Sequence, residues 1–360
     1  MSRQLDDRLY RKMERLVRRL VHTGLTQEAA LRQVMTTFGQ VLDAGAENMF
    51  SDLKATADEH LAHERLLWRE AQAALRAQWS EALDVYYLTV YGIAEAADRY
   101  IDRHAAGAAA RQDDTFRALA FLHQRGRRIA WEIFALLSSG FPHGAIARAR
   151  TLHELAVIGA VIGEYGRRPA TADLANRFFD YVVIEELRAH DGGYSDFVAD
   201  ESYVNELRQR AEALTDQYGS PFAERNGWAA ILNGDEAPSF AKLEALVEME
   251  GLRGEYQRMS GEVHAGAAGL VLNMSALNPD EALIGPTMVG LGEPGQLALL
   301  NLHRLTWAFL VFGSPNDRTR IQELLSLRVL ERFIDWYTEL ANEVEMRVAT
   351  DSEAGASTVG

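Results

Sequence analysis

The segment YQRMSGEVHAG sets Tyr256, Ser260 and His264 at steps of four residues, which places all three on one helix face on successive turns. A neutral imidazole on such a face can take a proton from a serine or water, or bind a substrate carbonyl. Gly261, Ala265, Gly266, Ala267 and Ala268 surround the three, and small residues let a second backbone come close. The same side chains could instead satisfy buried backbone groups on that neighbouring helix. No acid stands at the right spacing to orient the histidine, so both readings stay open.

A second group lies in FPHGAIARARTLHELAVI, where Arg150, His153 and Glu154 fall within one turn. Arg150 and Glu154, four apart, can form an intrahelical ion pair. Their surroundings, Ala147, Leu152, Leu155, Ala156 and Val157, are apolar. A carboxylate and a guanidinium entering a core must be paired or functional. The expectation is that Arg150 and Glu154 point into a bundle and meet the Tyr256 helix there. EHLAHE offers His60 and His63, but not at the HExxH spacing, and its polar setting reads as a solvated helix face. The chain has no Walker A loop, no GxGxxG after a strand, no GxSxG elbow and no zinc-finger spacing. No metal and no cofactor is expected.

The elements that must position these groups are helices. None of the eight prolines precedes Pro142, so the first 140 residues can run as long, almost unbroken helices. From Thr26, a plausible N-cap, apolar residues recur at Leu31, Val34, Phe38, Val41 and Leu42, then less regularly at Leu53, Leu61, Leu67 and Leu75. That pattern fits a hairpin or coiled-coil-like arm for oligomerisation or partner docking, and equally a plain two-helix layer on a core. Further helices are expected over 114–139, 144–165, from near Pro169 to His190, and over 201–218, 240–249, 256–274, 296–312 and 316–348. His190 to Phe197 reads as a loop. The predicted fold class is all-α: a multi-helix bundle with a helical arm over 1–105, a core domain over 106–348 and a disordered tail over 349–360. A short irregular or β-hairpin insertion is expected near 278–295.

Composition narrows the function. The net charge of −15 repels a nucleic-acid backbone on average, so RNA binding would need a local basic patch. The absence of cysteine excludes disulfides and thiolate metal sites and suits a reducing compartment. The N-terminal segment lacks the apolar core of a secretory signal, and the longest apolar run, LAVIGAVIG, is too short to span a bilayer. A cytoplasmic protein with no membrane association is expected.

Three segments in order, GFPHGAIARARTLHELAVIGAVI, RFFDYVVIEELR and YQRMSGEVHAG, resemble the bacterial proteins grouped as domain of unknown function 5677, over about Thr115 to Gly290. The family pattern maps onto Arg150 and Glu154, then Phe179 and Tyr181, then Ser260 and His264. The resemblance implies an all-helical domain in which Arg150, Glu154 and His264 converge. It carries no firmly assigned activity. The company such domains keep points, by analogy, to antiviral defence and toxin-like systems, where HEPN-type ribonucleases are common. Their Arg-x(4–6)-His signature occurs at Arg15/His22, Arg99/His104, Arg117/His123, Arg148/His153 and Arg258/His264. With the chain's arginine content, chance gives about three copies, so only Arg148/His153 and Arg258/His264 gain weight from their segments.

Two functions follow. In the first, a HEPN-like, metal-independent endoribonuclease or toxin-like effector uses His264, or else His153, as acid and base on RNA. Arg150 or Arg258 steadies the phosphorane charge, and a homo-oligomer, a dimer in the simplest case, completes the site. In the second, a non-catalytic module senses a ligand or docks a neighbouring-gene partner, and Arg150, Glu154 and His264 form a buried structural network.

Overall fold

The structure, a computed structural model, describes residues 3–192, 201–263, 284–312 and 317–356. The chain divides into two compact units, Met1–Ala71 and Gln72–Gly360. Among the described residues there is no strand, so the fold is all-α as predicted.

The first unit holds α1 (Arg3–His22), α2 (Gln27–Ala55) and the start of α3 (Ala57–Ala110). Thr26 caps α2 as expected, its hydroxyl accepting from the Ala29 N–H at 3.3 Å. α1 packs on α2. Only Thr56 separates α2 from α3, and its own N–H still bonds back to the Asp52 carbonyl. From Leu42 to Ala71 every side chain except that of Ala57 is exposed, among them Met49, Phe50, Leu53, Leu61 and Trp68.

The second unit begins with the rest of α3, whose Leu75, Trp79, Ala82, Tyr86, Val90, Ile93 and Ala97 are buried. Then come α4 (Asp114–Ser138), α5 (Pro142–Tyr165), a 3₁₀ turn (Pro169–Thr171), α6 (Leu174–Asp191) and α7 (Glu201–Tyr218). Two further 3₁₀ turns lead to α8 (Phe240–Leu246), and another, Glu250–Leu252, to α9 (Arg253–Val263). α10 (Gly292–Trp307) passes into a π-helical turn (Ala308–Phe312), and α11 (Asp317–Ala356) closes the unit.

α5 is the hub. It packs against α4, α10, α9, α8 and α6, as its nearly continuous apolar surface demands. Two glycines set the closest approach. A methyl group at Gly159 would lie 2.5 Å from Leu305 Cδ1, and one at Gly126 would lie 2.6 Å from Leu305 Cδ2. Leu305 of α10 therefore sits in a notch on α4 and α5 that only glycine leaves open.

Several boundaries differ from the sequence expectation. The helix expected over 240–249 stops at Leu246, because Glu248 adopts a positive φ of 56°. α10 begins at Gly292 rather than Gln296: Pro294 stands in its first turn, where a missing N–H costs nothing. α11 continues past Val348 to Ala356. The insertion is irregular where described, over 284–291, and the Thr287 N–H holds it to the Gly140 carbonyl at 2.9 Å. Its residues 278–283, most of the loop expected to Phe197, and the expected helix beyond Val263 lie outside the described residues. No helix among the described residues is long and apolar enough to cross a membrane.

Candidate functional site: a polar network on four helices

Arg150, His153 and Glu154 leave α5 within one turn and do meet α9. The Arg150 guanidinium donates to the Tyr256 hydroxyl at 3.1 Å, and that hydroxyl donates to Glu154 Oε1 at 2.9 Å. Arg150 and Glu154 also pair directly at 3.3 Å, with side chains 16% and 32% exposed. Tyr256 itself is buried. Burial raises its hydroxyl pKa above the usual phenol value. The Arg150 hydrogen bond pulls it down, and the Glu154 bond and charge push it up. The hydroxyl therefore keeps its proton at neutral pH and bridges the ion pair.

His153 faces the other way, into a sealed pair with Glu244 of α8; both are 0% exposed. Its Nε2 lies 2.9 Å from Glu244 Oε1, and its Nδ1 lies 3.2 Å from Asn301 Oδ1 on α10. The orientation of the Asn301 amide is fixed, because its Nδ2 donates to the Leu297 carbonyl and its Oδ1 also accepts from Arg304. Both ring nitrogens thus face oxygens. One proton more than a neutral imidazole carries must sit in the pair, either on the ring or on the Glu244 carboxyl. Arg253, at the start of α9, donates to Glu244 Oε2 at 2.9 Å and completes the carboxylate's bonding.

Aromatic rings tie the two halves together. Tyr256 stacks on Phe240 with centroids 5.0 Å apart, and the His153 ring lies 5.5 Å from Tyr256. The Arg150 and Arg253 guanidiniums each sit 5.2 Å from the Tyr256 ring centroid, within cation–π range.

The remaining candidates scatter. Arg148 pairs with Glu132 of α4 at 2.5 Å and leaves His153 alone. Arg258 turns to Glu255 and to Glu293 at the start of α10. Ser260 donates its hydroxyl to the Tyr256 carbonyl at 2.9 Å, an i−4 back-bond that removes it from any nucleophilic role in this arrangement. His264 lies outside the described residues. His60 and His63 are exposed, and no group of three or more His, Asp or Glu among the described residues could hold a metal ion.

Sequence reasoning missed Glu244, Arg253, Asn301 and Arg304. Asn301 had a legible signal, because it interrupts the apolar run LALLNLHRLTWAFLVF. Glu244 had none: in FAKLEALVEME it is one of three glutamates within seven residues.

No curated protein and no solved structure matches the chain. Residues 116–282, which carry Arg150, His153, Glu154, Glu244 and Tyr256, match the model of a family of unknown function, DUF5677. The match runs from α4 through the α9 half of the network, and over this segment the chain is similar to DUF5677.

Proposed function

We propose that the chain is a non-catalytic, cytoplasmic helical module that docks a partner through its N-terminal helices and uses the Arg–Glu–His network as an internal brace. The observation that carries this reading is His153, wholly buried with both ring nitrogens engaged. A general acid or base must come within hydrogen-bond reach of a substrate proton, and this ring offers neither a free nitrogen nor an exposed edge. The Tyr256 and Ser260 hydroxyls are likewise committed to protein partners. The docking surface is the exposed apolar side of α2 and early α3, where half-exposed Leu, Met and Phe side chains invite a cover. Its test is to measure melting temperature and RNA cleavage for the parent, His153→Ala and Glu244→Ala. The expected result is a lower melting temperature in both variants and no cleavage to lose. A variant with the parent's melting temperature and a lost activity would sink the reading.

A HEPN-like ribonuclease of a defence system is the second reading. It rests on Arg150, which is partly exposed on the segment that leads the family match, with His264 as its acid–base partner. The net charge of −15 opposes it. Cleavage of RNA and growth arrest that survive both His264→Ala and Arg150→Ala would end this assignment.

A further inference from the structure

Away from the network, one seam of the second unit is short of hydrogen bonds. Arg103 of α3 reaches across to α11, where it donates to Gln322 Oε1 at 3.0 Å and to Glu323 Oε1 at 2.6 Å. Glu323 is only 2% exposed, yet its Oε2 has no partner. The Tyr100 hydroxyl and His104 Nε2, on the same stretch of α3, are buried without partners too. Burial raises the Tyr100 pKa and lowers that of His104, and the Glu323 charge is among those acting on each. Three of the seven such atoms among the described residues fall at this seam. A buried polar atom left unpaired costs stability unless something binds it.

Glu323 also lines an open pocket of about 600 Å³, to which Ala96, Leu310 and Leu325 give an apolar part. Leu310 belongs to the π-helical turn, a distortion that recurs at functional sites. The charges lining the pocket cancel, Arg99 and Arg103 against Asp102 and Glu323. Its uncommitted hydrogen-bonding groups are of both kinds. Gln322 spends its oxygen on Arg103, so its amide nitrogen is left to donate. The Ser326 hydroxyl makes no bond to the described residues, whereas Thr338 on the same helix bonds back to the Ile334 carbonyl. Glu323 Oε2 is left to accept, and a small turn of the carboxylate, whose last torsion is broad, presents it to the pocket.

We propose that this pocket binds an uncharged, compact molecule through a donor–acceptor edge, the kind that a carboxamide or a nucleobase presents. The N–H of that edge donates to Glu323, its acceptor takes a proton from Ser326 or Gln322, and its flat body lies on Ala96, Leu310 and Leu325. An ammonium gains little there, because Arg103 already cancels the Glu323 charge. A carboxylate meets the Glu323 oxygen and Asp102, like against like. The site is separate from the docking role of the N-terminal helices and does not depend on it.

Titration of the full chain with benzamide and with adenosine, followed by ligand-observed NMR, tests this. At least one probe should bind with a Kd of about 1 mM or tighter, and which one binds more tightly tells a free carboxamide from a nucleobase. Benzoate and benzylamine should bind about tenfold more weakly than benzamide. Ser326→Ala should weaken binding about threefold to tenfold. Glu323→Gln keeps an oxygen for Arg103 but turns the free acceptor into a donor, and should abolish binding. Leu325→Trp, at a position 65% exposed, should fill the pocket and abolish binding at the parent's melting temperature. Should Glu323→Gln fail to fold, Ser326→Ala and Leu325→Trp still decide the matter. Failure of both probes to bind at about 10 mM overturns the proposal. So does benzoate or benzylamine that binds as tightly as benzamide, or binding that survives Leu325→Trp. None of these outcomes bears on the brace or the docking surface, whose tests read melting temperature and RNA cleavage.

Discussion

Replacing Glu244 with alanine tests the brace most directly. The substitution leaves His153 sealed among Phe240, Tyr256 and Asn301 with nothing at Nε2 to receive or supply a proton. Removing one partner from a buried pair costs about 3–5 kcal/mol, mostly because the other is left uncompensated. Arg253 contributes little to that figure. Its side chain is 39% exposed and can turn to water once released. For a unit of this size, about 4 kcal/mol lowers the melting temperature by roughly 5–8 °C. Glu244→Gln should be far milder, about 1 kcal/mol. The amide can donate to a neutral His153 ring while its oxygen still accepts from Arg253, so every atom keeps a partner.

Calorimetry and urea unfolding of the parent, both single variants and the double variant His153→Phe/Glu244→Leu check this. The double variant should recover most of the loss, because apolar residues of similar volume replace buried ion pairs at little cost. A Glu244→Ala protein that melts within about 1 °C of the parent would refute the reasoning. So would a glutamine variant as damaged as the alanine one, because then the loss would not lie in the missing proton partner.

Other perturbations follow from the same geometry. Gly159→Ala and Gly126→Ala should each cost about 1–3 kcal/mol by driving a methyl into Leu305. Gly39→Ala, in open space within α2, should instead stabilise its helix by about 1 kcal/mol, and thermal unfolding separates the cases. His123 is buried, bonded to Thr306 at 3.1 Å, and burial pushes its pKa down to about 3. The unfolded chain therefore binds this proton first. The stability it secures is complete above the unfolded value near 6.5, then falls by up to about 1.4 kcal/mol per pH unit down to the folded value. Urea titrations between pH 7 and 5 should show that slope flatten in His123→Gln. Tyr256→Phe should cost only about 1 kcal/mol, since Arg150 and Glu154 keep their own 3.3 Å contact, and its melting curve checks this.

How far the sequence could be read depended on whether a residue's partner was near in sequence or pattern. Arg150 and Glu154 were legible as a core-entering pair, because four residues of spacing and an apolar setting already state the problem they must solve. The Tyr256 helix was legible as their answer, because its small residues permit close approach. The all-α class followed from the helical periodicity and the late prolines. Glu244 was hidden, because nothing local separates a buried glutamate from two solvated ones in the same short segment. The π turn at Ala308–Phe312 was hidden too, since AFLVF satisfies an α-helix equally well. Pro294 misled, because a proline in a first turn and a proline in a loop look alike until the helix is seen.

The Arg-x-His pattern shows where spacing alone fails. Arg148 and His153 have the required separation, yet Arg148 goes to Glu132 on α4 and His153 goes to Glu244 on α8. Five residues along a helix are about 500° of rotation, so the two side chains point some 140° apart. They meet only when the fold bends both toward one cleft. Here the fold does the reverse: apolar contacts around α5 draw His153 inward, and a carboxylate on α4 holds Arg148 outward. The spacing is a condition on backbone positions, and the burial pattern of the helix decides whether it becomes a site.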